Sequence, residues 1–234
     1  MSGVERMYKD VKTWSPFVGC YHDCIYCKPS FQRQMKRRRK WCNLCYNYEP
    51  HFHPERLNRI PNVKTIFACA FGDIAFAQSN WIRQIFEAIR KYKDKTFYIQ
   101  TKDPSIFKSE IFFETPENVK LGVTLESDLL YYATPSRFKK YFEISQALNP
   151  ETRLEIMFKV KDLINYVTIE PVLDFSNEFS SKLEELPLEF IYLGYDNHNC
   201  KLPEPSVNKT LKLKEELEKF TEVRLKTVRK AWWE

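Results

Sequence analysis

The chain has 234 residues, 43% of them apolar and 15% aromatic, and a formal net charge of +6. That size buries a core without staples, and that apolar content excludes a disordered polyelectrolyte. No apolar run approaches the roughly 20 residues that cross a bilayer, and the opening MSGVERMYKD is polar, so neither a membrane protein nor a secreted one is expected.

In chain order, a short strand is expected over 12–17, and it leads directly to Cys20, Cys24 and Cys27. Seven cysteines without a secretory leader read as metal ligands or buried thiols of a reducing cytoplasm, not as a disulfide framework. The first three have the spacing Cys-x3-Cys-x2-Cys, with Tyr26 just before the last. A cubane [4Fe–4S] cluster usually takes four thiolates. Three within eight residues leave one iron open, and an open metal position marks a reactive site rather than a structural one. Arg33, Lys36, Arg37, Arg38, Arg39 and Lys40 then form a basic cluster suited either to solvent or to an anionic partner such as nucleic acid. Cys42, Cys45, His51 and His53 follow and form a second, weaker set of metal ligands, for zinc or iron–sulfur.

Beyond this region, short apolar runs alternate with helical patterns. Strands are expected at TIFACAF (65–71), TFYIQT (96–101), VKLGVTL (119–125), YVTIEPVL (166–173), EFIYLGY (189–195) and VRLKTV (223–228). Between the first two, Ile82, Ile85, Phe86 and Ile89 fall on one helical face, with Ser79 or Asn80 as N-cap. A helical stretch follows Pro104, another opens at Ser136 carrying Phe138, Tyr141 and Phe142, and a third spans 151–163; a charged helix occupies 208–220. This alternation predicts an α/β fold, a partial (β/α)6-type open TIM barrel with parallel strands; a doubly wound sheet is the alternative. One domain spans 1–234, with a basic Cys/His-containing insertion at about 28–60. The apolar runs end in polar residues: Gly72 and Asp73, Thr101 and Lys102, Glu126, Glu170, and Asp196. In parallel β/α folds such residues share one mouth.

Cys20-Tyr-His-Asp-Cys24-Ile-Tyr26-Cys27 resembles the defining motif of the radical S-adenosylmethionine (SAM) superfamily, Cys-x3-Cys-x-aromatic-Cys. TWSPFVGC, HFHPERL, FACAFGD, FYIQTKDP, LGVTLES and TIEPVLD extend the likeness to a branch found in phages, viruses, archaea and bacteria, related in motif to spore photoproduct lyase-type enzymes. It covers roughly residues 13–170. The resemblance implies a [4Fe–4S] cluster on Cys20, Cys24 and Cys27, whose fourth iron binds SAM. It further implies reductive cleavage of SAM to a 5′-deoxyadenosyl radical, with a flavodoxin or ferredoxin as reductant. Tyr26, Gly72, Asp73, Thr101, Lys102, Glu126 and Glu170 become candidate cofactor-binding residues, although this chain has Phe-Gly-Asp where relatives carry Gly-Gly-Glu. Charge and the kinship to a DNA-lesion repair group together favour a nucleic-acid or nucleotide substrate.

A rival reading uses the same cysteines differently. Cys24-x2-Cys27, fourteen residues, then Cys42-x2-Cys45 fits a four-cysteine zinc module binding nucleic acid. Cys20 argues against it, since a zinc knuckle has no use for a further thiolate four residues before Cys24. Cys69 is expected to be a buried strand residue, Trp232 and Trp233 to pack on the core, and Lys226 and Arg229 to reach an anion at the mouth.

Overall fold

Seven strands run parallel in one curled half-barrel sheet in the order β1-β4-β5-β6-β7-β8-β9, as seen in a computed structural model that describes residues 11–234. The polar opening 1–10, which carries the expectation of no leader, lies outside the described residues. The strands are β1 (Val11–Trp14), β4 (Thr65–Ala68), β5 (Thr96–Thr101), β6 (Val119–Thr124), β7 (Tyr166–Ile169), β8 (Phe190–Leu193) and β9 (Glu222–Leu225). Two further strands, β2 (Phe17–Val18) and β3 (His51–Phe52), pair antiparallel beside the sheet. The open partial barrel expected from the alternation is thus present, with seven strands.

Burial on both faces explains the near-continuous apolar runs: every residue of β7 and β8 is buried. Helix α3 (Ser79–Arg90) buries Ile82, Ile85, Phe86 and Ile89, but its N-cap is Gln78, one residue before the expected cap. Helix α4 (Pro150–Lys159) starts at Asn149, whose side chain accepts the Thr152 amide hydrogen, and α6 (Val207–Leu217) starts at Ser206 in the same way. The short helices α1 (Arg33–Lys36) and α2 (Asn43–Asn47) lie in the basic insertion, and α5 (Phe179–Glu184), which carries no pattern beyond two turns, was not foreseen.

Several expectations need correction. No helix opens at Ser136; only a single turn at Tyr141–Glu143 forms. The chain there doubles back, bridging Tyr131 to Lys140, and its aromatics Phe138 and Tyr141 pack with Tyr26, Leu173 and Leu202. Strand β4 stops at Ala68 because Cys69 takes a left-handed backbone (φ 57°), so Cys69 is buried in a turn rather than a strand. Strand β9 likewise ends at Leu225.

Strand alternation layers the inner face of the half-barrel. Tyr98, Tyr166, Phe190 and Tyr192 form an aromatic floor, with Tyr166 stacked on Phe190 at 5.0 Å. Two residues further along, the Gln100 side chain donates to Thr124 Oγ1 (2.5 Å) and accepts from Thr168 Oγ1 (2.9 Å). Two residues further again stand Lys102, Glu126 and Glu170, at the carboxyl edge of the sheet.

Candidate functional site

A cavity of about 740 Å³, mouth included, opens at this carboxyl edge. Cys20, Cys24, Cys27, Gly72, Asp73, Thr101, Lys102 and Glu170 line it together with Gln100, Thr124 and Thr168 of the polar rung. Six of the sequence candidates, Tyr26, Gly72, Asp73, Thr101, Lys102 and Glu170, therefore reach one space, and Glu126 stands just behind it through bonds to Tyr26 and Lys102.

The three thiols come together because β1 runs into a loop pinned on two sides. Gly19 donates to the Phe71 carbonyl (2.9 Å), and Cys20 donates to the Tyr48 carbonyl (3.2 Å). Gly19 has φ 103°, and a Cβ there would lie 2.2 Å from the Glu49 carbonyl oxygen, so no larger residue fits. Gly72 faces Gly19 with similarly little room: its Cβ would come within 2.9 Å of the Gly19 oxygen. Cys24 Sγ lies 3.1 Å from Ser145 Oγ. A hydrogen bond from Cys27 holds the Cys24 thiol down to about 5 against burial, helped by the Lys102 ammonium. The Cys27 thiol is pushed up by that same bond and by burial, and the Cys20 thiol by burial and by Asp73. Cys24 is thus the triad member that deprotonates most readily, with the Lys102 ammonium favouring its thiolate.

Asp73 is saturated by the protein. Its Oδ1 accepts from Thr101 Oγ1 (2.5 Å) and the Ala75 amide (3.0 Å), and its Oδ2 from the Lys102 amide (2.8 Å) and His22 Nε2 (3.0 Å). Burial pulls its carboxyl up, but His22 and Thr101 overcome this and hold it below the usual range. His22, inside the cysteine loop, is thus buried and oriented toward Cys20, and the Cys20, His22 and Asp73 donor atoms lie within 4.8 Å of one another.

Beside Cys24 lies a buried charge network. Glu126, fully inaccessible, accepts from Lys102 and the Tyr26 hydroxyl through Oε1, and from Arg153 Nη1 through Oε2 (2.7 Å). Arg153 also donates to the Thr124 carbonyl (2.5 Å) and to the Tyr141 hydroxyl. Burial alone would raise the Glu126 carboxyl, but Arg153 and Lys102 hold it far below its ordinary range. Two cations face one carboxylate, so the cluster carries one positive charge in excess, and Lys102 also interacts electrostatically with Cys24. Sequence reasoning missed Arg153. The available signal was its place three residues before Ile156 and four before Met157 on an otherwise apolar helix side, where an arginine demands a buried partner.

Glu170 at the end of β7 meets Lys226 at the end of β9, so two candidates read separately from the sequence are partners. Burial lowers the Lys226 ammonium to about 7, and the contact with Glu170 pulls the other way. Arg229 reaches Glu204 instead (2.7 Å), and Asp196 accepts the His198 and Cys200 amides, so neither enters the cavity. The indoles of Trp232 and Trp233 donate to the Leu202 and Glu204 carbonyls, fastening the chain end to the body.

The insertion holds two more features. Cys42, Cys45, His51 and His53 converge, their donor atoms within 4.8 Å of one another. The group excludes Cys24 and Cys27, so the four-cysteine arrangement is not what the fold assembles. Trp41 is 84% exposed beside Arg37 and Arg38, in a groove whose Phe71 packs edge-on against Phe31 of the main cavity. Among the described residues, no helix is long and apolar enough to cross a membrane.

Over residues 7–186 the sequence matches the family described as "Protein of unknown function (DUF5131)". No curated protein is similar enough to match.

Proposed function

The chain belongs to the DUF5131 family, and we propose that it is a radical SAM enzyme in which Cys20, Cys24 and Cys27 hold a [4Fe–4S] cluster with one iron open to SAM. The observation that carries this reading is the convergence of these three thiols, and of no other cysteine among the described residues, on the cavity at the carboxyl edge of a parallel half-barrel. When bound, the cluster and SAM supply reductive cleavage of a sulfonium C–S bond and a 5′-deoxyadenosyl radical that removes hydrogen from a substrate.

The chain's own residues supply binding, charge and exclusion of water. A tri-thiolate iron–sulfur group is anionic, and the surplus cation of the Lys102–Glu126–Arg153 network is its counter-charge. The thiolate at Cys24 offers the first ligand. The Gln100–Thr124–Thr168 rung and the Glu170–Lys226 pair present donors and acceptors to a polar cofactor. Asp73 reaches SAM only by releasing one of its four donors, so its first duty is to hold His22 and the Gly72 turn. Phe31, Phe67 and Tyr48 wall the cavity. A flavodoxin or ferredoxin is the fitting reductant, and the basic groove with its exposed Trp41 favours a nucleic-acid or nucleotide substrate.

Purification without oxygen should yield a brown protein with about four irons per chain. Once reduced and supplied with SAM it should release 5′-deoxyadenosine, and Cys24→Ala should abolish both properties. A colourless, iron-free protein, or undiminished release from Cys24→Ala, would sink the proposal.

A further inference from the structure

We infer that Cys42, Cys45, His51 and His53 bind a single zinc ion, separate from the triad and independent of what the triad does. The sulfur–nitrogen spacings are already close to those of one tetrahedral shell. His51 Nε2 lies 3.4 Å from both Cys42 Sγ and Cys45 Sγ, and His53 Nε2 lies 3.2 Å from Cys45 Sγ. Tetrahedral zinc, with bonds of about 2.3 Å to sulfur and 2.0–2.1 Å to nitrogen, places such pairs about 3.6 Å apart.

The tautomers and the close approach of the two rings favour a cation between them. His51 Nδ1 is 2.6 Å from the Glu49 carbonyl oxygen, an acceptor only, so Nδ1 carries the hydrogen. His53 Nδ1 is 2.8 Å from a Glu55 carboxylate oxygen and carries its hydrogen for the same reason. Both Nε2 atoms then present lone pairs, yet they stand 2.7 Å apart. Two lone pairs at that distance repel unless something positive lies between them. A proton bridging the nitrogens would answer that pair alone and leave the convergence of both sulfurs on the same point unexplained. A metal ion satisfies all four.

The surroundings match a zinc site. A carboxylate and a carbonyl fixing the distal nitrogens of ligand histidines is the usual outer shell. The Cys45 amide donates to Cys42 Sγ (3.3 Å), and Arg56 Nη2 approaches Cys45 Sγ (3.9 Å), both of which stabilise thiolates. Cys45 is fully buried and both histidines are nearly so. Two sulfurs and two nitrogens around one point select zinc over magnesium or calcium. A Rieske-type [2Fe–2S] cluster is ruled out by the same distances, because it puts its cysteines on one iron and its histidines on the other. Here Cys45 Sγ touches His53 Nε2 directly.

The ion has a mechanical role. Cys42 begins α2, and His51 lies in β3, paired with Val18 of β2. Between them, the Tyr48 carbonyl accepts from the Cys20 amide, and the Glu49 carbonyl closes over Gly19. Zinc therefore ties the insertion to the loop that begins the cysteine triad.

The test is metal analysis and zinc-edge X-ray absorption of the whole chain purified anaerobically in zinc-free buffer. About one zinc per chain is expected, with two sulfurs at about 2.3 Å and two nitrogens at about 2.0 Å. Cys24→Ala should keep the zinc whether or not it binds iron, whereas Cys45→Ser and His53→Ala should lose it. Should those variants fail to fold, cobalt substitution of the unaltered protein still decides, since a tetrahedral S2N2 site gives intense visible bands. A folded protein without zinc, a shell of four sulfurs, iron at these ligands, or zinc lost with Cys24→Ala would each overturn the inference.

Discussion

Arg153→Met tests the buried network most directly. The arginine is wholly buried, pairs with Glu126 at 2.7 Å, and caps the Thr124 carbonyl. Breaking a buried ion pair from one side costs about 3–5 kcal/mol. Glu126 keeps Lys102 and Tyr26, which puts the pair at the low end, about 3; the stranded Thr124 carbonyl adds about 1. We therefore expect a loss of about 4 kcal/mol, or with an m-value near 3 kcal/mol/M a fall of about 1.3 M in the urea midpoint. Arg153→Lys keeps the charge and loses part of the hydrogen bonding, so about half of that loss is expected. The pH dependence has a definite sign. Glu126 is held below its unfolded value, so its stabilisation is present above about pH 4 and is lost as pH falls further. Because the variant depresses Glu126 less, the gap between it and the parent should narrow below pH 4. Urea unfolding of the metal-free chains by circular dichroism at pH 7 and pH 3 reads both quantities. A loss under about 1 kcal/mol, or equal losses for Met and Lys, would refute the view that charge compensation holds this site together.

Gly122→Ala should cost at least about 1–3 kcal/mol in thermal unfolding, because its Cβ would lie 2.2 Å from the ring of Tyr166, held between Tyr98 and Phe190; adding Tyr166→Leu should recover part of it. Failure of the second change to help would show that the ring is not the obstacle. Asp128 is drawn up by burial but held below the usual range by Lys182 and Ser176, so Asp128→Asn should lose about 1.5–3 kcal/mol at pH 7 and progressively less below about pH 4. An acid-insensitive difference would contradict this assignment. For the nucleic-acid reading, Trp41→Ala should weaken single-stranded DNA binding, followed by fluorescence anisotropy, by about 1–3 kcal/mol, and binding should fall steeply with salt. Unchanged affinity would remove Trp41 from the proposed contact surface.

Legibility followed how local each signal was. The residues 96–101 strand and the buried face of α3 were readable because period and length agree. The cysteine triad was readable because all its members lie within one loop. The Ser136 helix was misread because Phe138 and Tyr141 mimic helical spacing, while their burial comes from a distant partner, the Tyr26 and Leu202 cluster. Arg153, the His22–Asp73 contact and the Glu170–Lys226 pair join segments far apart in the chain, and no local pattern announces a partner on another strand. The second ligand set was visible as four residues, but its grouping was not, since Cys24 and Cys27 offered an equally good spacing.

The layering of the half-barrel accounts for where the chemistry can occur. Strands β5, β6 and β7 each place one aromatic or glycine, one hydroxyl or amide, and one charged group along the inner face, so polarity rises toward the carboxyl edge there. A cofactor bound there is apolar-backed and polar-fronted without any loop having to supply the gradient. Among the described residues no strand joins β9 to β1, so the sheet leaves its cavity open along one side. The insertion closes the β1 flank, where Gly19 and Gly72 touch, and carries its basic groove to Phe71, which packs against Phe31 of the cavity. The β9 flank, marked by Arg224 and Lys226, has no such cover within the sheet. A small metabolite would gain nothing from that breadth. An extended polyanion entering along the basic Trp41 groove would use it, which is why the proposed substrate is a nucleic acid rather than a free metabolite.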